Sequence, residues 1–226
     1  MEDINAIAAL QDPVRRRLYE YVVAQGREVG RNEAAEATGV ARTLAAHHLD
    51  KLAEVGLLES GSRRLTGRSG PGAGRPAKVY TRARVERTLS LPARDYRTAA
   101  ELLAEAAEQA GLDAGLCAAA RRRGEALRGS AAPCGGLEEA AEVLAARGYE
   151  PYLEGPEEPT DAAAHVVRMR NCPFHAVAER FPPLVCGMNL ALLEGLLGTD
   201  GPVRARMDAR PGECCVVVEN SKNNHD

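Results

Sequence analysis

Residues 32–58 leave the chain few ways to fold. Asn32 can cap a helix, Gly39 supplies the permissive backbone of a tight turn, and Gly56 stops a second helix ahead of the apolar pair Leu57-Leu58. The order is helix, turn, helix, strand. On a helical wheel the second helix turns Leu44, His48, Leu49, Leu52 and Val55 inward. It leaves Ala41, Arg42, Thr43, Ala46, His47, Asp50 and Lys51 outward.

That outward face is small, polar and partly cationic, as a helix entering the DNA major groove requires: Arg42, Thr43, His47 and Lys51 can reach base edges or phosphates. An ordinary antiparallel helix pair is the competing reading, and the next segment weighs against it. From Ser60 to Arg87 the chain carries Arg63, Arg64, Arg68, Arg75, Lys78, Arg82, Arg84 and Arg87 against one acid, Glu86. Glycine and proline at 70–76 mark a hairpin tip, and Lys78-Val79-Tyr80-Thr81 can return as a strand. A basic hairpin of this kind suits phosphate contact, and an extended Gly74-Arg75-Pro76 can lay a guanidinium into a minor groove. The other reading of such a run is a solvated surface.

Upstream, Asp12-Pro13 opens a helix whose Val14, Leu18, Tyr21 and Val22 share one face, with Arg15, Arg16 and Arg17 expected on the exposed side. The net charge of -3 conceals an asymmetry: residues 1–87 hold 15 Lys+Arg against 11 Asp+Glu, and the remainder 14 against 21. The basic part faces nucleic acid in this reading and the acidic part does not. Met1-Glu2-Asp3-Ile4 has no signal-like character, and the most apolar run, Val185 to Leu197, is interrupted by Asn189 and Glu194. A cytoplasmic protein with no membrane association is expected.

The expected fold class is α+β. Residues 1–87 form a winged helix-turn-helix, and 88–132 a helical linker that pairs two copies through Ala-rich helices at about 93–110 and 113–128, divided at Gly111. Those helices have a second use, covering the next domain. Residues 133–220 form a small α+β domain with an antiparallel sheet, read as a helix at Leu137–Arg147, strands at Tyr149–Leu153 and His165–Arg170, short helices at 173–180 and 183–197, and strands at Val203–Asp208 and Cys214–Glu219. A polar tail occupies 221–226.

Six cysteines in a reducing compartment pose metal binding or thiol chemistry against inert burial. Cys172 precedes Pro173 as a helix cap, and Cys186 falls in the first turn of the next helix, where unsatisfied N–H groups favour thiolate. Cys214 opens a strand, so its neighbour Cys215 is expected to point to the opposite face, one of the two joining the site. Three dispersed thiolates, Cys172, Cys186 and Cys214, suit an iron-sulfur cluster better than the paired knuckles of structural zinc, with His175 a candidate fourth ligand and Cys215 the alternative to Cys214. Cys117 and Cys134 are read as structural. No paired general acid and base, phosphate loop or Ser/His/Asp set argues for an enzyme.

The segment Ala46-His47-His48-Leu49-Asp50-Lys51-Leu52-Ala53-Glu54-Val55-Gly56-Leu57-Leu58, followed by Gly74-Arg75-Pro76-Ala77-Lys78-Val79-Tyr80, resembles ArsR-like winged helix-turn-helix regulators. Asn171-Cys172-Pro173-Phe174, then Val185-Cys186, then Cys214, resembles the sensor domain of SufR-type iron-sulfur regulators. The resemblance implies a homodimer on a palindromic double-stranded operator. It also implies that Cys172, Cys186 and Cys214 hold a 4Fe-4S or 2Fe-2S cluster whose redox state, nitrosylation or presence controls DNA affinity. A structural or sensory zinc site and a metal-free, small-ligand-responsive regulator are the alternatives.

Overall fold

A computed structural model describes residues 2–63, 76–90, 92–155 and 165–221. Arg64, Arg68 and Arg75 lie outside the described residues. The chain divides into two compact units, Met1–Arg94 and Asp95–Asp226.

The first unit begins with α1 (Glu2–Ala9) and α2 (Pro13–Gln25). The Asp12 carboxylate accepts from the Val14 and Arg15 amides, which fixes the start of α2 at its proline. A short strand β1 (Val29–Gly30) leads into α3 (Arg31–Thr38). The cap of α3 is Gly30, not Asn32: Glu33 reaches back to the Gly30 amide at 3.4 Å, which sets the first turn two residues earlier. Gly39, at φ 68°, closes α3, and α4 (Arg42–Glu54) follows. Strands β2 (Leu58–Arg63) and β3 (Ala77–Arg82) form the hairpin, and β3 lies between β2 and β1.

The buried side of α4 differs from the expected one by a single position. Ala45, His48, Leu49 and Leu52 are buried while Leu44 is 43% exposed. Positions 45, 48, 49 and 52 are the i, i+3, i+4, i+7 stripe of one helix face, and Leu44 belongs to the neighbouring row with His47 and Lys51. The small side chain of Ala45 meets the core there, which also contains Leu18, Val22, Val29, Ala34, Leu58 and Tyr80.

The second unit comprises α5 (Tyr96–Gln109), α6 (Asp113–Arg128), α7 (Leu137–Ala145), β4 (Pro151–Glu154), β5 (Val166–Met169), α8 (His175–Ala178), α9 (Pro182–Leu197), β6 (Val203–Met207) and β7 (Val216–Asn220). Its sheet is antiparallel throughout in the order β4-β5-β7-β6. Val167, Met169, Val216 and Val218 share a core with Ala140 and Leu144 of α7 and Leu193, Leu196 and Leu197 of α9. Alternation sends Arg168 to the other face, where it is almost fully buried and bonded to Glu154 and Asp208 at 2.7 and 2.8 Å.

The break between units falls at 94/95, which places α5 and α6 in the second unit. Their covering role is the visible one for α6, which crosses α9 at Gly124 and Gly195. A Cβ on Gly124 would sit 2.1 Å from the Leu192 carbonyl oxygen, and one on Gly195 2.2 Å from that of Arg121. The helices therefore meet backbone to backbone.

Candidate functional sites

On the first unit, Arg42, Thr43 and His47 project from α4 into solvent, joined by the exposed Leu44. Lys51 is half-exposed and within 3.0 Å of Glu54. Asp50, on the same side, is enclosed by cations: Lys78 Nζ donates to it at 2.7 Å, Arg31 holds it with two bonds of 2.7 and 2.9 Å, and the Tyr80 hydroxyl donates at 2.6 Å. Burial opposes its ionisation, but these hydrogen bonds outweigh burial and hold its carboxyl down to about 2. Burial pushes the Tyr80 hydroxyl up to about 12. The result is a lock between α3, α4 and the hairpin strand β3. Lys78, expected to touch DNA, spends its charge on Asp50, and Arg63 lies 3.4 Å from Glu28.

The three arginines of α2 have different fates. Arg15 turns inward, donating to His48 Nδ1 at 3.3 Å and to the Ala9 carbonyl at 3.2 Å, and Arg16 donates to the Leu10 carbonyl at 2.9 Å. Arg15 ties α2 to the end of α1 and to α4, whereas Arg16 and Arg17 both remain exposed on the surface. A cleft of about 1390 Å³ opens between α2, α3 and the hairpin, lined by Arg27, Asn32, Glu36 and Arg63. It contains none of the cysteines.

In the second unit Cys214 is buried in the main core and Cys172 and Cys215 pack against that core, while Cys186 acts electrostatically on both of those partly buried thiols. Cys172 lies in the turn before α8, its carbonyl accepting from the His175 amide at 3.0 Å. Helix α8 begins at His175, so Pro173 lies in the preceding turn and Cys172 is no cap. Cys186 is the fifth residue of α9, beyond its first turn, because the helix starts at Pro182.

The largest departure concerns Cys215. Strict alternation would separate it from Cys214, but β7 starts only at Val216 and the chain bends at Cys215. The Cys214 amide donates to the Met169 carbonyl at 2.9 Å and the Cys215 carbonyl accepts from the Asp208 amide at 2.8 Å. Outside a regular strand the period of two does not apply, so both sulfurs reach the same site. His175 is turned away: its side chain is 63% exposed and sits 3.2 Å from Glu179. Cys134 is buried in the main core, and Cys117 lies on α6 with its sulfur facing Gly187.

Asn189 and Tyr149 complete the site, and sequence reasoning gave neither a role. The buried Tyr149 hydroxyl donates to Asn189 Oδ1 at 2.5 Å, and Asn189 Nδ2 donates to the Cys214 sulfur at 3.4 Å. The available signal was a polar residue inside the apolar run of α9, where a buried amide must find partners. Hydrogen bonds from Cys172 and Cys215, then from the Val216 amide and Asn189, hold the Cys214 thiol well below its ordinary range. By the same bonds and by burial, Cys172 and Cys215 are pushed up. Burial first, then the neighbouring sulfurs, push Tyr149 up.

A clustered set of thiols, backed by N–H donors that favour thiolate, is chemically suited to a soft metal centre. Among the described residues no group of three or more His, Cys, Asp or Glu side chains is placed closely enough to hold a metal ion. No helix among the described residues is long and apolar enough to cross a membrane.

Residues 10–61 match a family described as a helix-turn-helix domain. No curated protein and no solved structure matches the chain. The match spans α2, α3, α4 and most of β2, the elements that present Arg42, Thr43 and His47, and so the first unit carries a helix-turn-helix domain of the kind that supports a DNA-binding regulator.

Proposed function

We propose that the chain is a cytoplasmic, homodimeric transcription regulator, without enzymatic turnover, whose affinity for a palindromic operator depends on an iron-sulfur cluster held by the second unit. The carrying observation is that Cys172, Cys214 and Cys215 gather at one core, with Asn189 donating to the Cys214 sulfur, in a chain that also has a helix-turn-helix domain. Arg42, Thr43, Leu44 and His47 supply the reading face, where Leu44 offers an apolar contact of the kind a thymine methyl accepts. Lys51 and Arg63 are suited to phosphates, and Arg64, Arg68 and Arg75 add to the basic run of the sequence.

When bound, a cluster would supply a centre sensitive to oxidation and nitric oxide. Cys172, Cys186 and Cys214 would hold it, as the resemblance to SufR-type regulators implies. Asn189 would fix the Cys214 sulfur, and Tyr149 would fix Asn189. Regulation requires that the cluster favour one dimer geometry over another by about a few kcal/mol. The test is anaerobic purification followed by a visible spectrum with iron, sulfide and zinc quantified, and operator affinity before and after chelation. Matched iron and sulfide with a changed affinity is the expected result. Iron without any effect on DNA binding would leave the cluster structural. Zinc is the second reading, favoured by the all-cysteine donor set, which is also that of structural zinc.

A further inference from the structure

On the DNA-binding reading of the first unit, on which this rests, we propose that Asp50 determines discrimination between operator and other DNA: by holding Arg31 and Lys78 on one carboxylate, it withholds both cations from phosphates of any sequence. Asp50 stands one turn beyond His47 on α4, on the face read as meeting DNA, where a bare carboxylate would repel the backbone. Instead it draws one cation from the first residue of α3 and one from β3.

Three donors meet at one oxygen. Lys78 Nζ, the Tyr80 hydroxyl and Arg31 Nη2 donate to Asp50 Oδ1 at 2.7, 2.6 and 2.9 Å, and Arg31 Nη2 also reaches Oδ2 at 2.7 Å. Arg31 Nε donates to the Tyr80 oxygen at 2.8 Å, so the hydroxyl is fixed on both sides. The lock is not sealed. The side chains of Arg31, Asp50 and Lys78 are 36%, 44% and 38% exposed, which leaves phosphate oxygens able to compete for the cations. Phosphate contacts supply nearly all of the affinity for unrelated DNA, whereas an operator also offers base contacts that fix the register. Cations released from Asp50 can follow a backbone in any register. They therefore add more to binding of unrelated DNA than to binding of a site whose register is already fixed.

The experiment measures binding of the full chain, purified anaerobically, to two fluorescent duplexes between about 50 and 200 mM salt. One is the best site selected from a random-sequence library, and the other is that site scrambled. For Asp50→Asn the expected result is about tenfold tighter binding to the scrambled duplex, a salt slope steeper by about 1–2, and a smaller gain on the selected site. Lys78→Gln separates the lock from net charge. Its loss of affinity for the scrambled duplex is expected to be small in the wild-type chain and several-fold larger in the Asp50→Asn background, where Lys78 is released. Equal losses in the two backgrounds, or an equal gain of Asp50→Asn on both duplexes, overturn the inference. If the melting curve shows Asp50→Asn unfolded, Tyr80→Phe carries the test. It keeps every charge and the ring lying 5.6 and 5.9 Å from the two cations, and removes only the hydroxyl. A gain that is larger on the scrambled duplex upholds the lock, and no such gain overturns it. Wild-type protein that binds neither duplex overturns the DNA-binding reading and the inference together, whereas wild-type binding that Asp50→Asn leaves unchanged overturns the inference alone.

Discussion

His48 couples the first unit's stability to pH just below neutrality. Burial disfavours its charged form and lowers its pKa, and Arg15 donates to its Nδ1, a contact only the neutral ring accepts. With the folded value below the unfolded one of about 6.5, the unfolded state binds more protons. Stability is therefore complete above that value and falls as pH drops below it. The expected outcome is a lower melting temperature of the first unit at pH 5.5 than at pH 7.5, with a smaller difference in His48→Gln; equal slopes in both proteins would place the titration elsewhere. Arg42 is expected to act on DNA alone. Arg42→Ala should weaken binding to the best site selected from a random-sequence library about tenfold, without shifting the melting temperature. Loss of folding instead would mean that Arg42 supports α4. At this scale the sequence exposed Arg42 and His47 but not the fate of Lys78 or Arg15. Whether a cation is open or spent depends on a partner that folding brings in, such as Asp50 for Lys78, 28 positions away.

Among the elements, those with strong local signals stand close to where the sequence places them. Asp12-Pro13 starts α2, Gly39 and Gly111 adopt positive φ between helices, and the four strands of the second sheet differ from expectation mainly at their ends. The misplacements have a shared cause. Leu44 and Ala45, and Cys214 and Cys215, are neighbours whose assignment to a face depends on one residue of phase. Hydrophobicity alone favours the larger Leu44 for the core, but packing selects the regular stripe with Ala45. The crossing of α6 and α9 is where small residues are indispensable. Gly124→Ala should cost the second unit roughly 1–3 kcal/mol by forcing the helices apart. It is read as a lower thermal midpoint, and an unchanged one would show that the backbones are not in contact. Tyr149→Phe leaves Asn189 without its donor and should cost roughly 1–3 kcal/mol, seen in the same melting curve.

Across the whole chain, the division into two units follows the charge asymmetry of the sequence, with the cationic surplus on the helix-turn-helix side. The boundary was harder to read because α5 and α6 have the Ala-rich composition of either a linker or a cover. Only packing distinguishes these: α6 is anchored through Gly124, whereas α5 contains no fully buried residue and leaves Leu102 and Leu103 at 62% and 72% exposed. That apolar row is the surface expected to pair two copies. Leu103→Glu should convert a dimer to a monomer in sedimentation equilibrium while leaving the helical content intact, and a dimer that survives the change would move the interface elsewhere.

The α6–α9 crossing also bears on the order in which the chain can fold as it is made. Gly124 emerges during synthesis about seventy residues before its counterpart Gly195. In that interval α6 has no helix to lie against, and neither Leu193 nor Leu196 is present to close the core over α7. The second unit is thus a late-closing structure: the helix that brings in Cys186 and Asn189 is the same one that completes the scaffold, so these two side chains reach their places only as the unit shuts.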